Sequence, residues 1–168
     1  FYVMILTVVF YLFVACTGIQ IMYYLSFSSF LFKQKKRNQK TESIPVSVIL
    51  YAKNSTAELQ ENLPFVIAQT YPIFEIVLID NASSDDTSEI MKAFQEKNEN
   101  IKIVAVKNTE AFWNNKKYAL TLGIKAATYD HLLFTDANSK PISKNWIGEM
   151  SAMFTVKRTI VLGYEKFK

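Results

Sequence analysis

Two strand-like runs end on an acid. His131-Leu132-Leu133-Phe134-Thr135-Asp136-Ala137-Asn138-Ser139-Lys140-Pro141 delivers an acid, a small residue and an amide after a mostly apolar stretch. Phe74-Glu75-Ile76-Val77-Leu78-Ile79-Asp80 ends likewise and runs into Asn81-Ala82-Ser83-Ser84-Asp85-Asp86-Thr87. A third run, Pro45-Val46-Ser47-Val48-Ile49-Leu50-Tyr51, ends on an aromatic residue with Asn54 close behind. Strand ends of this kind suit a polar ligand. A carboxylate accepts hydrogen bonds from a ribose or a base N–H, and Tyr51 can pack beside a base. An oxygen-rich turn at Asp136 and Asn138 suits a hard cation such as Mg²⁺ or Mn²⁺, with ligand phosphates completing its shell. Asp and Asn also favour a plain Asx-turn after a strand, which needs no ligand. Lys116 or Lys117, ahead of the strand that carries Asp136, can add positive charge or simply face solvent on a helix.

The elements around these residues decide what they can reach. Residues rich in β-branched and apolar side chains at 45–51, 74–80, 101–106 and 131–136 read as strands, the first of them buried on both faces as in a parallel sheet. Helical spacing separates them. Ser55 and Glu58 fit a capping box for a helix reaching about Thr70, in which Pro64 suggests a restart capped by Asn62. Further helices are expected at about 85–97 and 115–127, and after Ser143 as cap, with Trp146, Ile147, Met150 and Phe154. Thr159–Leu162 reads as a last strand. Alternation of strands and helices implies right-handed βαβ units and an α/β fold with a mostly parallel sheet. In such sheets the strand ends that bear Tyr51, Asp80 and Asp136 share one edge, where ligands bind.

Composition narrows the function. The chain has 168 residues, a formal charge of +4, one cysteine and one histidine. A single cysteine allows no disulfide and no cysteine-based metal site within the chain, and a lone histidine excludes a His-rich zinc site. No charged residue occurs from Phe1 to Phe32, a run longer than the roughly 20 residues that cross a bilayer as a helix. Lys33, Lys35, Lys36, Arg37 and Lys40 follow at once. The basic character therefore flanks a membrane segment and marks no nucleic-acid surface. Charges after the apolar run favour an anchor over a cleaved signal peptide and place the C-terminal side in the cytoplasm. The expected organisation is a transmembrane helix at 1–32, a basic juxtamembrane linker at 33–43 and a soluble domain at 44–168. Neither G-x-G-x-x-G, G-x-x-x-x-G-K-[ST] nor G-x-S-x-G is present, so dinucleotide, P-loop and nucleophile-elbow chemistries lack support.

Several of these runs together resemble the N-terminal part of a family 2 glycosyltransferase. They are Val46–Leu50, Ala68-Gln69-Thr70-Tyr71-Pro72, Phe74–Thr87, Lys117-Tyr118-Ala119-Leu120 with Gly123–Ala127, and Leu133–Pro141 with Trp146. The resemblance spans about Pro45 to Ile147. It implies a Rossmann-like GT-A domain that binds a nucleoside diphosphate-sugar with a divalent cation, Mg²⁺ or Mn²⁺. On that pattern Tyr51, Asn54, Asp80 and Asp136 form the nucleotide-sugar site, to which the positive charge of Lys117 is added, and Asp136 with Asn138 holds the metal. Family members commonly carry a second acid where Asn138 stands, and an amide brings an oxygen but no charge. The implied reaction moves the sugar to a lipid-linked or polysaccharide acceptor at the cytoplasmic face of a bacterial inner membrane. The catalytic base is expected in sequence after Lys168, the chain being read as part of a longer protein. A degenerate, non-catalytic membrane subunit that binds or scaffolds, with partner subunits in the membrane, is the alternative. A nucleotidyltransferase ranks behind both for want of a phosphate loop.

Overall fold

In the computed structural model the residues described are 1–32, 43–107, 115–155 and 159–163. The basic linker and the loop with Phe112 and Trp113 fall outside them, apart from Ser43 and the loop's first residue, Lys107. The chain forms two compact units, residues 1–40 and 41–168.

The first unit is one helix, α1 (Tyr2–Phe32). Its segment Tyr2–Ser26 has a mean hydropathy of 2.3 and is long and apolar enough to cross a membrane. At ~1.5 Å per residue such a segment exceeds a hydrocarbon core of about 30 Å. Two of its hydroxyls are satisfied within the helix: Thr7 and Thr17 donate to the carbonyls of Val3 (2.8 Å) and Phe13 (2.9 Å). Hydrocarbon would offer those hydroxyls no other partner.

The second unit runs β1 (Val46–Ala52), α2 (Thr56–Ile67), β2 (Phe74–Asp80), α3 (Thr87–Gln95), β3 (Ile101–Ala105), α4 (Lys116–Ala126), β4 (His131–Asp136) and α5 (Trp146–Ser151). The four strands pair in parallel in the order β3-β2-β1-β4. Alternation along the strands divides the core. Val48, Leu50, Ile76 and Leu78 meet Leu59, Leu63 and Val66 of α2, Met91 of α3 and Ile147 of α5. Ile49, Val77 and Ile79 meet Ala119 of α4 on the opposite face. Gly123 lets α4 lie close: a Cβ there would stand 2.4 Å from Ile79 Cδ1 and 3.1 Å from Ile49 Cγ2. The chain winds outward through β2 and β3, then returns to lay β4 on the other side of β1. The strand order therefore reverses between β1 and β4, which opens a crevice beyond their carboxyl ends.

Four local expectations change. Residues 159–163 form no strand; Ile160 and Leu162 are exposed, since an apolar run becomes a strand only where another strand's edge pairs with it. Pro64 does not restart α2. It lies on the exposed side, so the Gln60 carbonyl that loses its N–H partner faces water. Asn62 is accordingly no cap; it is buried and donates to the Ala137 carbonyl at 2.9 Å. Ser55 occupies the N-cap position of α2 without a side-chain cap bond, and its hydroxyl donates to the Lys53 carbonyl. The cap comes from the β2–α3 turn instead, where Asp85 accepts from Thr56 N–H and the Thr87 hydroxyl accepts from Ser55 N–H. Asn145, and not Ser143, holds the N-cap position of α5; the Ser143 hydroxyl accepts from Asn145 N–H.

Candidate functional site

Tyr51 and Asp136 are register partners on β1 and β4 and so flank the point where strand order reverses. Three backbone bonds fix the turns at this edge. Ala137 N–H donates to the Tyr51 carbonyl, Asn81 N–H to that of Ala52, and Val106 N–H to that of Asp80. Ser139 N–H closes the turn after β4 on the Asp136 carbonyl at 3.0 Å. With Asn62 gripping the Ala137 carbonyl from α2, the Asp136–Asn138 turn is anchored on two sides.

Lys116 is the first residue of α4. Asn115 caps that helix, its Oδ1 accepting from Lys117 N–H at 3.0 Å and Tyr118 N–H at 3.2 Å. The cap sets the first helical residue beside the crevice. Lys116 Nζ donates to both Asp136 oxygens, at 2.8 and 2.7 Å, and lies 4.7 Å from the centroid of the Tyr51 ring. Lys117 is exposed one position further on, and no bond ties its ammonium to Asp136. Of the two candidate lysines, the structure thus sets Lys116, and not Lys117, on Asp136. Two lysines and no acid open α4, at the end where the helix dipole repels cations. Such local conflicts are expected at functional or strained sites.

Asp80 sits slightly apart. It pairs in register with Ala52 and is buried, and its Oδ1 accepts from Ser83 N–H at 3.0 Å. Beside it, buried Asn81 donates from Nδ2 to the Tyr51 hydroxyl at 3.0 Å, a link that sequence reading did not single out. Asn54 has φ 48° and Ala82 has φ 52°, both in the left-handed region. Asn54 clamps the two turns together: its N–H donates to the Ser83 hydroxyl, and its Oδ1 accepts from Ser84 N–H at 2.8 Å. Burial pushes the Asp85 carboxyl up, but hydrogen bonds from the Thr87 and Thr56 side chains and backbone outweigh it and hold the group below the usual range. Asp85 therefore stays ionised as a cap. The rim of the crevice is cross-linked by hydrogen bonds on the β2 side and half-exposed at Asp136.

Asp136 and Asn138 offer one carboxylate and one amide oxygen. Asn138 is exposed. Among the described residues no three His, Cys, Asp or Glu side chains gather into a metal-binding group. This donor set suits a hard cation that takes most of its remaining ligands from phosphate and water.

Residues 47–163 match the profile described as Glycosyl transferase family 2. Poly-beta-1,6-N-acetyl-D-glucosamine synthase of Staphylococcus epidermidis is 34% identical over 105 residues, which cover 62% of this chain and 24% of that protein. The chain spans about a quarter of the length of that curated relative. S. aureus TarS 1-349, crystallised with UDP-GlcNAc, superposes with a TM-score of 0.55 at 25% identity, over 65% of this chain and 30% of that one. A mannosyltransferase from Pyrobaculum calidifontis, in complex with GDP-Man and Mn²⁺, shares the fold at TM-score 0.63 and 23% identity, over 82% of this chain and 40% of that one. The fold is the GT-A-like α/β arrangement of these proteins.

Proposed function

This chain belongs to glycosyl transferase family 2, and we propose that its 44–168 region binds a nucleoside diphosphate-sugar in the crevice between β1 and β4. The observation that carries the proposal is the triad Tyr51, Lys116 and Asp136, assembled at the reversal of strand order from three different elements. Tyr51, steadied by Asn81, offers a face for the base. Asp80 and Asn54 line the β1–β2 side, where the nucleoside would lie. Lys116, with Lys117 behind it, meets the diphosphate.

Transfer breaks the bond from the sugar's anomeric carbon to the diphosphate and forms one to an acceptor oxygen. Negative charge grows on the leaving diphosphate, and an ammonium placed beforehand stabilises it there. A divalent cation, Mg²⁺ or Mn²⁺, would be held by Asp136 and Asn138 and would neutralise further charge on the leaving group. UDP-GlcNAc is the proposed donor, supported by the N-acetylglucosamine polymer named for the S. epidermidis relative and the ligand in the TarS crystals. A lipid-linked or polysaccharide acceptor at the cytoplasmic face agrees with α1 and the basic run after it.

Calorimetric titration of the full chain in detergent with UDP-GlcNAc, UDP and GDP-mannose, each with Mn²⁺, tests the proposal. UDP and UDP-GlcNAc are expected to bind and GDP-mannose to bind at least about tenfold more weakly, a discrimination of ~1.4 kcal/mol. Absence of heat for every nucleotide refutes the reading. Asn138 favours a second reading, a degenerate, non-catalytic membrane subunit acting as a binding or scaffold component. Restoration of metal-dependent binding only in Asn138→Asp would support it, and donor turnover by the wild type would exclude it.

A further inference from the structure

Lys116 engages both oxygens of Asp136, and Asp136 is the sole anionic partner of Lys116 among the described residues. The pair sums to zero charge. Asn138 adds an acceptor without charge, so a free divalent cation meets no net negative charge at this turn. It meets an ammonium already on the carboxylate, and two cations at contact distance repel. A diphosphate changes the balance. Its oxygens compete for the lysine, as charge-assisted acceptors for an N–H donor, and their charge attracts the cation to the freed carboxylate. The ion pair is half-exposed, with 48% and 43% of the two side chains accessible, so exchange of partners requires no unfolding.

We propose that Lys116 makes this site selective for a cation–diphosphate complex over the free divalent cation: it occupies Asp136 until a diphosphate draws it away. The proposal rests on the nucleotide reading given above, but its first test does not. Mn²⁺ binding to the full chain in detergent is followed by the electron paramagnetic resonance of free Mn²⁺, without nucleotide, for the wild type, Lys116→Gln and Lys117→Gln. Lys116→Gln should bind Mn²⁺ about tenfold more tightly than the wild type, and Lys117→Gln within about twofold of it, since only Lys116 touches the carboxylate. Addition of UDP should tighten Mn²⁺ binding about tenfold in the wild type and much less in Lys116→Gln. Equal Mn²⁺ affinity in wild type and Lys116→Gln, no binding by either, or an equal gain in Lys117→Gln overturns the proposal. If UDP binds normally in those cases, the nucleotide reading survives without it. A gain in Lys116→Gln with no response to UDP in any variant overturns the nucleotide reading and, with it, the selectivity.

Discussion

Two acid–lysine pairs stand at opposite edges of the same sheet. At the amino edge Glu75 meets Lys102 at 2.8 Å; at the carboxyl edge Asp136 meets Lys116 at 2.7 Å. The distances are alike and the surroundings are not. Glu75, with 8% of its side chain accessible, also accepts from the Ser47 hydroxyl at 2.6 Å and from the Thr128 hydroxyl and N–H, while Ser47 accepts from Tyr129 N–H. All four strands or their flanks contribute to that cluster. Burial pushes the Glu75 carboxyl up, and the bonds from Lys102, Ser47 and Thr128 overcome this and lower it to about 2. Asp136 has 43% of its side chain accessible, and among the described residues Lys116 alone donates to its carboxylate. A saturated carboxylate holds a fold together, whereas one with a single half-exposed partner is available to a ligand.

The difference can be broken from the amino edge first, where the largest effect is expected. Glu75→Gln should lower unfolding free energy at pH 7 by about 3 kcal/mol, by the linkage between the shifted group and its ordinary value. Because the folded state depresses this pKa from 4.5 to about 2, the contribution is whole above about pH 4.5 and disappears as pH falls through about 2. Denaturation curves of wild type and Glu75→Gln should therefore diverge at neutral pH and converge at the acid end. Parallel curves at every pH would show that the amino-edge cluster is not a stabilising unit.

At the carboxyl edge Asp136→Asn should leave stability within about 0.5 kcal/mol, as for other exposed pairs, yet weaken binding of UDP with Mn²⁺ by about 30-fold, or ~2 kcal/mol. Calorimetry and thermal unfolding on one preparation separate the two effects. Loss of stability in place of affinity would make Asp136 a second structural acid and erase the contrast. Asn62→Ala should cost about 1–2 kcal/mol, since it strands the buried Ala137 carbonyl, and should weaken nucleotide binding along with it. The smallest change sharpens the picture from the opposite sign. Ala82→Gly should stabilise the domain by up to about 1 kcal/mol, because glycine adopts φ 52° without the Cβ clash. A loss on that substitution would mean that the Ala82 methyl packs usefully in the turn.

Much of this could be read before the fold was seen. Val48–Leu50 and Ile76–Ile79 are continuous apolar runs, and only a sheet covered on both faces buries such runs whole. Asp80 and Asp136 end their strands as expected. Other features resisted. The Glu75 cluster gathers residues 28 and 53 positions from the acid, a pairing that no local pattern announces. Ser55 and Glu58 have the spacing of a capping box, but Asp85 and Thr87 reach the helix end from another turn and leave that pattern unused. The choice between Lys116 and Lys117 was open in sequence because adjacent helical residues point about 100° apart, and only the docking of α4 on Ile49 and Ile79 decides which one faces Asp136.

Sequence alone determined the apolar helix, the alternation of strands with helices, the family and the acids at the strand ends. These depend on local composition and on order along the chain. Tertiary structure decided which acid is sealed and which is open. Glu75 and Asp136 are each carboxylates on a strand with a lysine nearby. Their roles diverge through the count of donors that distant segments bring to each, a property of how the strands and helices pack.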